Sequence, residues 1–174
     1  MSSSTVTAAV QSKPSFEIRP LLIDEYSSLR NLHAQAIKFV LASSLSSEET
    51  DVLVAHVRTP EYTTRLMSRN FLIADIGGMH VGSIAWAATP ECEGCARISG
   101  HFVHPMFGGI GIGRALLEAA LEEVAAKGFQ RTLVRVPLNA VSLYETAGFC
   151  VASQGVTQDF APGTAIHVAF MRRG

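Results

Sequence analysis

The sequence predicts a single α/β (α+β) domain organised around one mixed sheet, and three observations carry that expectation. Apolar periodicity switches repeatedly between alternation and a helical repeat along the 174 residues, giving the order strand, two helices, three strands, helix, strand, helix, two strands. Two apolar runs flank Gly77-Gly78, the pattern of a tight hairpin. A third run closes at Val103-His104-Pro105 and passes through Gly108, Gly109, Gly111 and Gly113 into the strongest helical pattern of the chain. The length suits one domain with a sizeable core.

Element by element, residues 1–15 are rich in Ser, Thr and Ala and carry no apolar block. They read as a disordered tail rather than a signal or transit peptide, with the folded domain spanning 16–174. Phe16 to Arg19 alternates and stops at Pro20, as a first strand would. Asp24 is placed to cap a helix running to about Val40, with Leu29, Leu32, Ala36 and Phe39 or Val40 on its apolar face. A second helix is expected to start after Ser46 or Ser47, with Glu48 and Glu49 in its first turn, and to end before Pro60.

Phe71–Ile76 and His80–Ala88 form the hairpin, and Ala96–Val103 the next strand. From Gly113 to Lys127, Leu116, Ala120 and Val124 line one face while Glu118, Glu122 and Glu123 line the other, and Gly128 is the expected stop. Arg131–Val136 is a short β-branched run. Asn139 is placed to cap a helix Ala140–Ala147 ended by Gly148. Phe149–Val156 and Ala165–Arg172 are the last strands, joined by a loop containing Pro162-Gly163.

Composition narrows the function classes. A net charge of −1 provides no global attraction to nucleic acid or to an anionic membrane, and no apolar run approaches the roughly twenty residues of a membrane span. Cys92 and Cys95 read as two small turn residues rather than half a zinc site, because no second Cys/His pair stands at ligand spacing, and Cys150 reads as core. No metal is expected, and this cysteine usage fits a reducing cytoplasm.

The glycine run has its own chemistry. A helix start carries unpaired N–H groups and the positive end of the helix dipole, and glycines let a phosphate approach that backbone. Two phosphate motifs are excluded by letters: Gly113 is followed by Arg114-Ala115 rather than Lys-Ser/Thr, and Gly109-x-Gly111-x-Gly113 has the wrong spacing for a dinucleotide fingerprint. The alternative is that these glycines serve only the turn and its packing.

Two segments resemble the GNAT superfamily of acetyl-CoA-dependent N-acyltransferases. One is Val103-His104-Pro105 followed by Gly109-Ile110-Gly111-Ile112-Gly113-Arg114; the other is Asn139 followed by Tyr144-Glu145-x-x-Gly148-Phe149. The resemblance covers the order of elements from Phe16 to Arg172. It implies a mostly antiparallel sheet of six to seven strands flanked by about four helices. It also implies transfer of an acetyl group from acetyl-CoA to a primary amine, on a small molecule, a peptide or protein N-terminus or a lysine, through a tetrahedral intermediate. A catalytically silent CoA-binding module on the same fold is the alternative. No nucleic acid or membrane partner is implied, and a homodimer is compatible with the pattern.

Residue by residue, the resemblance places the pyrophosphate against Gly108, Gly109, Ile110, Gly111, Ile112, Gly113 and Arg114. It places the pantetheine arm and the oxyanion against the backbone of His101, Phe102 and Val103, and a further cofactor contact at Asn139. Tyr144 becomes the proton donor to the departing thiolate. The sequence departs from the family at Gly108, where Arg or Gln is usual, and Arg114 either compensates or pairs with Glu118. It departs again where a carboxylate base is sometimes found, at positions held by Arg97, Ser99, Val134 and Arg135. Ordered water is then the expected proton acceptor, with His101 the one side-chain candidate and His104 solvated or structural. The charges of the early helices, Arg58 and Arg65 among them, read as solvated faces.

Overall fold

The computed structural model describes residues 14–43, 45–158 and 163–174. The tail expected over 1–15 and Pro162 of the last loop lie outside these residues, save Pro14 and Ser15. The elements are β1 (Glu17–Pro20), α1 (Tyr26–Val40), α2 (Ser47–Val57), α3 (Pro60–Met67), β2 (Asn70–Ile76), β3 (Met79–Ala88), β4 (Cys95–Val103), α4 (Ile112–Ala126), β5 (Arg131–Pro137), α5 (Val141–Thr146), β6 (Cys150–Thr157) and β7 (Ile166–Arg173). Short 3₁₀ turns precede α4 and α5, at Pro105–Phe107 and Leu138–Ala140.

The seven strands form one sheet in the order β1-β2-β3-β4-β5-β7-β6. Every neighbouring pair is antiparallel except β4 and β5. The β2–β3 hairpin turns on Gly77 and Gly78, both at positive φ (60° and 89°), the conformation that a two-residue turn matching strand twist requires. One face of the sheet packs on α4 and α5 through Ile84, Ile98, Leu116, Leu117, Val134 and Phe149. The other packs on α1, α2 and α3 through Leu29, Ile37, Leu53, Leu66, Ile73 and Val168. Gly82 of β3 is where α4 rests: a Cβ there would come within 2.7 Å of Ile112 and 2.8 Å of Leu116.

Several local expectations are corrected. The five α-helices among the described residues accord with the expected about four, and the one that the local pattern did not give is α3. Pro60 does follow the end of α2, but it opens α3, where its fixed φ suits the first turn and Thr59 Oγ1 accepts a hydrogen bond from Tyr62 N. Asp24 does not cap α1. The N-cap is Glu25, whose carboxylate instead accepts from Arg19 (2.7 and 2.9 Å) and from the Leu22 amide (2.8 Å). Of Phe39 and Val40 it is Val40 that packs inward while Phe39 is 67% exposed, and His33, Ala34 and Ile37 complete the buried face. α2 does start after Ser46, one of the two expected positions, and its cap is a full Ser46–Glu49 box.

The cysteines are corrected as well. Cys92 and Cys95 form a disulfide across the β3–β4 turn, so cysteine usage offers no argument for a reducing compartment. Cys150 is exposed at the start of β6. Because the disulfide closes a loop with a sequence separation of only 3, the unfolded chain loses little freedom to it. Reduction should therefore cost less than about 2 kcal/mol, readable as a small Tm drop with dithiothreitol that a Cys92→Ser variant reproduces.

Candidate active site

After β4 the chain runs through the Pro105–Phe107 turn into Gly108, which is extended (φ −64°, ψ 152°). Gly109 and Gly111 both take positive φ, 76° and 92°, and Gly111 is the N-cap of α4. Those two positions need glycine for backbone reasons. The first intrahelical bond runs from Ala115 N to Gly111 O, so the N–H groups of Ile112, Gly113 and Arg114 have no acceptor within the helix. The first turn of this 15-residue helix holds no acidic residue. Arg114 pairs with Glu118 at 2.9 Å along the exposed face of the helix. Gly113, by contrast, is required by neither backbone nor packing. A Cβ there would lie 3.4 Å from Val103 and 3.6 Å from His101, an ordinary contact.

Beside this cradle the sheet opens. The parallel pairing of β4 with β5 runs from Cys95↔Arg131 to Ile98↔Val134 and goes no further. Beyond it β4 stays with β3 and β5 stays with β7. The backbone of Ser99 to Val103 therefore borders a cleft with no strand partner on that side.

A β-bulge controls what points into the cleft. Ser83 pairs with Phe102 and Ala85 with Ser99, so Gly100 and His101 together oppose the single residue Ile84. Gly100 holds φ +58°. The extra residue breaks the alternation of β4: Ser99 and Phe102 face the α1–α3 side, while His101 is turned to the α4–α5 side.

There His101 meets Tyr144. The Gly113 carbonyl can only accept, so at 2.9 Å it fixes the proton on His101 Nε2. His101 Nδ1 then accepts from the Tyr144 hydroxyl at 2.7 Å. Burial holds the imidazole down to about 4, against an upward pull from the Gly113 carbonyl, so the ring is neutral with both nitrogens engaged. Tyr144 is 2% exposed, and burial pushes its phenol well above the ordinary value. Gly148, at φ 87°, turns the chain so that Phe149 packs edge-on against Tyr144 with ring centroids 5.3 Å apart. The Tyr…Gly-Phe spacing is thus a device for locking this ring. Asn139 is not a helix cap: it lies exposed in the Leu138–Ala140 turn, and α5 begins from Ala140 with no side-chain cap.

Across β4 from His101 is a cavity of about 320 Å³. Arg65 and Arg69 reach its lining from the α3 side, Arg97 and Arg135 from β4 and β5, and Phe102 and Leu66 supply apolar wall. Arg69 Nη1 donates to Ser99 Oγ at 2.7 Å. Glu91 binds both Arg97 and Arg135. The floor is a buried relay: Tyr62 hydroxyl to His33 Nδ1 (2.7 Å), His33 Nε2 to Ser83 Oγ (2.9 Å), Ser83 Oγ to the carbonyl of Gly100 (2.7 Å). Because the carbonyl only accepts, every proton of that chain has one direction, and the relay ties the bulge to α1 and α3.

The sequence reading missed this basic wall. Its signal was present in Arg97 and Arg135, which alternate with Ala96, Ile98, Val134 and Val136. Among the described residues no group of three or more His, Cys, Asp or Glu stands close enough to hold a metal ion, and no helix is long and apolar enough to cross a membrane.

Comparison with known proteins agrees with this fold. A family model described as an acetyltransferase (GNAT) domain matches residues 41–165. A GCN5-related N-acetyltransferase from Rhodopseudomonas palustris shares the fold with a TM-score of 0.77 at 20% identity, over 97% of this chain and 99% of that one. The PaiA N-acetyltransferase of Thermoplasma acidophilum, solved with coenzyme A, gives 0.74 at 20% identity over 91% and 98%. The yncA protein of Salmonella typhimurium, solved with acetyl-CoA, gives 0.63 at 18% identity over 91% and 92%. No curated protein gives a significant match.

Proposed function

This chain belongs to the GNAT acetyltransferase family, and on that premise we propose that it transfers the acetyl group of acetyl-CoA to a primary amine by direct attack. The observation that carries the reading is the splay of β4 from β5 after Ile98 and Val134, next to the glycine cradle at the start of α4. A thioester chain laid along the free edge of β4 would have its carbonyl within reach of strand N–H groups from His101 to Val103. Its pyrophosphate would meet the N–H groups from Gly109 to Arg114, at a helix start without a competing carboxylate.

The residues present fit acetyl-CoA, and they divide the chemistry as follows. The neutral amine attacks the thioester carbon, the C–N bond forms, and the carbonyl pair moves to oxygen, where strand N–H groups stabilise it. Collapse breaks the C–S bond, and the ammonium proton leaves to water, since both nitrogens of His101 are already engaged. Tyr144 is protonated at every working pH, and its phenol lies above a thiol of about 8.5, so complete proton transfer to sulfur is uphill. Its role is to turn its one proton from His101 Nδ1 to the sulfur, donating a hydrogen bond there as charge develops, with the thiol proton supplied from water. Gly108 gives up the side chain usual at that position, and the backbone amides carry the phosphate contact.

Acetyl-CoA and CoA at 100 times their Kd should each stabilise the fold by about 2.7 kcal/mol in a thermal-shift measurement, while ATP should not. A panel of primary amines with thiol detection then reads turnover. Tight acetyl-CoA binding with no thiol release from any amine would leave only a CoA-binding module.

A further inference from the structure

The far wall of the cleft carries charge that acetyl transfer does not require. Arg65, Arg69, Arg97 and Arg135 all line the 320 Å³ cavity on the α3 side of β4, and no acidic residue among those described lines it. Glu91, with 46% of its side chain exposed, binds both Arg97 and Arg135. Arg97 Nε is buried without a hydrogen-bond partner among the described residues. Gathering guanidinium groups in a partly desolvated cavity costs free energy, and burial together with the neighbouring arginines lowers the pKa of Arg69. A sheet has no structural need for such a cluster. An arriving anion would relieve it, and guanidinium is the group best shaped to hold a carboxylate through two hydrogen bonds.

We propose that the amine acceptor carries its own carboxylate, held by Arg69, Arg97 and Arg135, with its amine presented to β4 and its side chain against Leu66 and Phe102. The proposal rests on the acetyl-transfer reading and names the substrate class of that same site. The cavity volume suits a small molecule of amino-acid size. A polyamine, with no anion of its own, would meet only repulsion. The same field favours the uncharged form of the attacking amine, at a cavity that no carboxylate among the described residues lines. The other ionisable groups facing the cavity do not oppose this. Tyr62 is pushed up to about 12 by burial, and His56, 3.5 Å from Arg65, is lowered by burial and by that guanidinium.

The test has a binding arm and a turnover arm. Calorimetry on CoA-saturated protein compares N-acetyl-L-leucine, N-acetyl-L-methionine and N-acetyl-L-phenylalanine with their primary amides. Thiol release compares the three free amino acids, their amides and a linear triamine. In at least one pair the carboxylate should bind tenfold or more tightly than the amide. Arg97→Gln and Arg135→Gln should each narrow that ratio to about threefold or less, while CoA affinity, the control for folding, stays within twofold. Equal affinity in every pair, or no binding by any, overturns the proposal. So does turnover that prefers amides or the triamine, and in that case acetyl transfer itself stands. Carboxylate-selective binding without thiol release from any amine gives the reverse result: the anion site is upheld and the transfer reading fails.

Discussion

Tyr144→Phe should lower kcat by about 10²-fold while acetyl-CoA Kd stays within about threefold. The magnitude follows from the role. Removing one hydrogen-bond donor aimed at developing charge costs roughly 10²–10³ in rate, and general acids contribute about 10²–10⁴. The low end applies here because burial raises the phenol, so it supports charge on sulfur without giving up its proton. The aromatic ring is retained in the variant, and with it the edge-on packing on Phe149. The variant also leaves His101 Nδ1 without the hydroxyl that donates to it at 2.7 Å, a loss of about 1–3 kcal/mol in stability. Tm measured alongside turnover separates the two effects. A kcat unchanged by the substitution removes Tyr144 from the mechanism.

The second large effect is on stability in mild acid, where two internal histidines act together. His33 is held near 3 by burial and, secondarily, by Arg69; His101 is held near 4 by burial. In the unfolded chain both titrate near 6.5. Between those values the unfolded chain binds more protons than the folded one, so stability falls as pH drops below about 6.5 and is flat above it. At pH 5 each histidine should have removed about 2 kcal/mol, and the pair about 4, a large part of an ordinary domain's stability. Glu25 adds to the loss at lower pH. Arg19 holds its carboxyl near 2, so the stability it contributes above its ordinary value of about 4.5 disappears as pH falls toward 2. Urea titrations at pH 7 and pH 5 measure the drop. His33→Gln and His101→Gln should each reduce the difference between the two pH values by about half, whatever they do to stability at pH 7. A fold equally stable at both pH values would contradict the buried neutral assignment.

The features legible in the sequence are those that local physics decides. Gly77-Gly78, Gly111, Gly128 and Gly148 all sit at positive φ, in the turns and helix ends that the local pattern predicts. The apolar stripe Leu116, Ala120 and Val124 is buried along α4. Local pattern misleads where a residue has a stronger partner farther along the chain. Glu25 is drawn to Arg19 and His80, and Arg19 also binds Asp75 across the sheet, so no side chain is left to cap α1. Asn139 fails as a cap because the chain enters α5 through a 3₁₀ turn. Pro60 marks a real boundary, yet the residue that ends one helical pattern also fits the first turn of the next, and α3 is lost to a reading that treats proline only as a stop.

By itself, then, the sequence determined the order of elements apart from α3, the hairpin, the glycine turn into α4 and the family resemblance, because periodicity and glycine φ depend on neighbours a few residues away. The tertiary structure alone decided which face each side chain of the site occupies. One extra residue at Gly100 turns His101 toward Tyr144 and leaves Phe102 on the opposite side. Strand register then brings Arg97 and Arg135 into one cavity with Arg65 and Arg69 from a distant part of the chain. A shift of one residue reverses every side chain on a strand, and such a shift has no trace in local pattern.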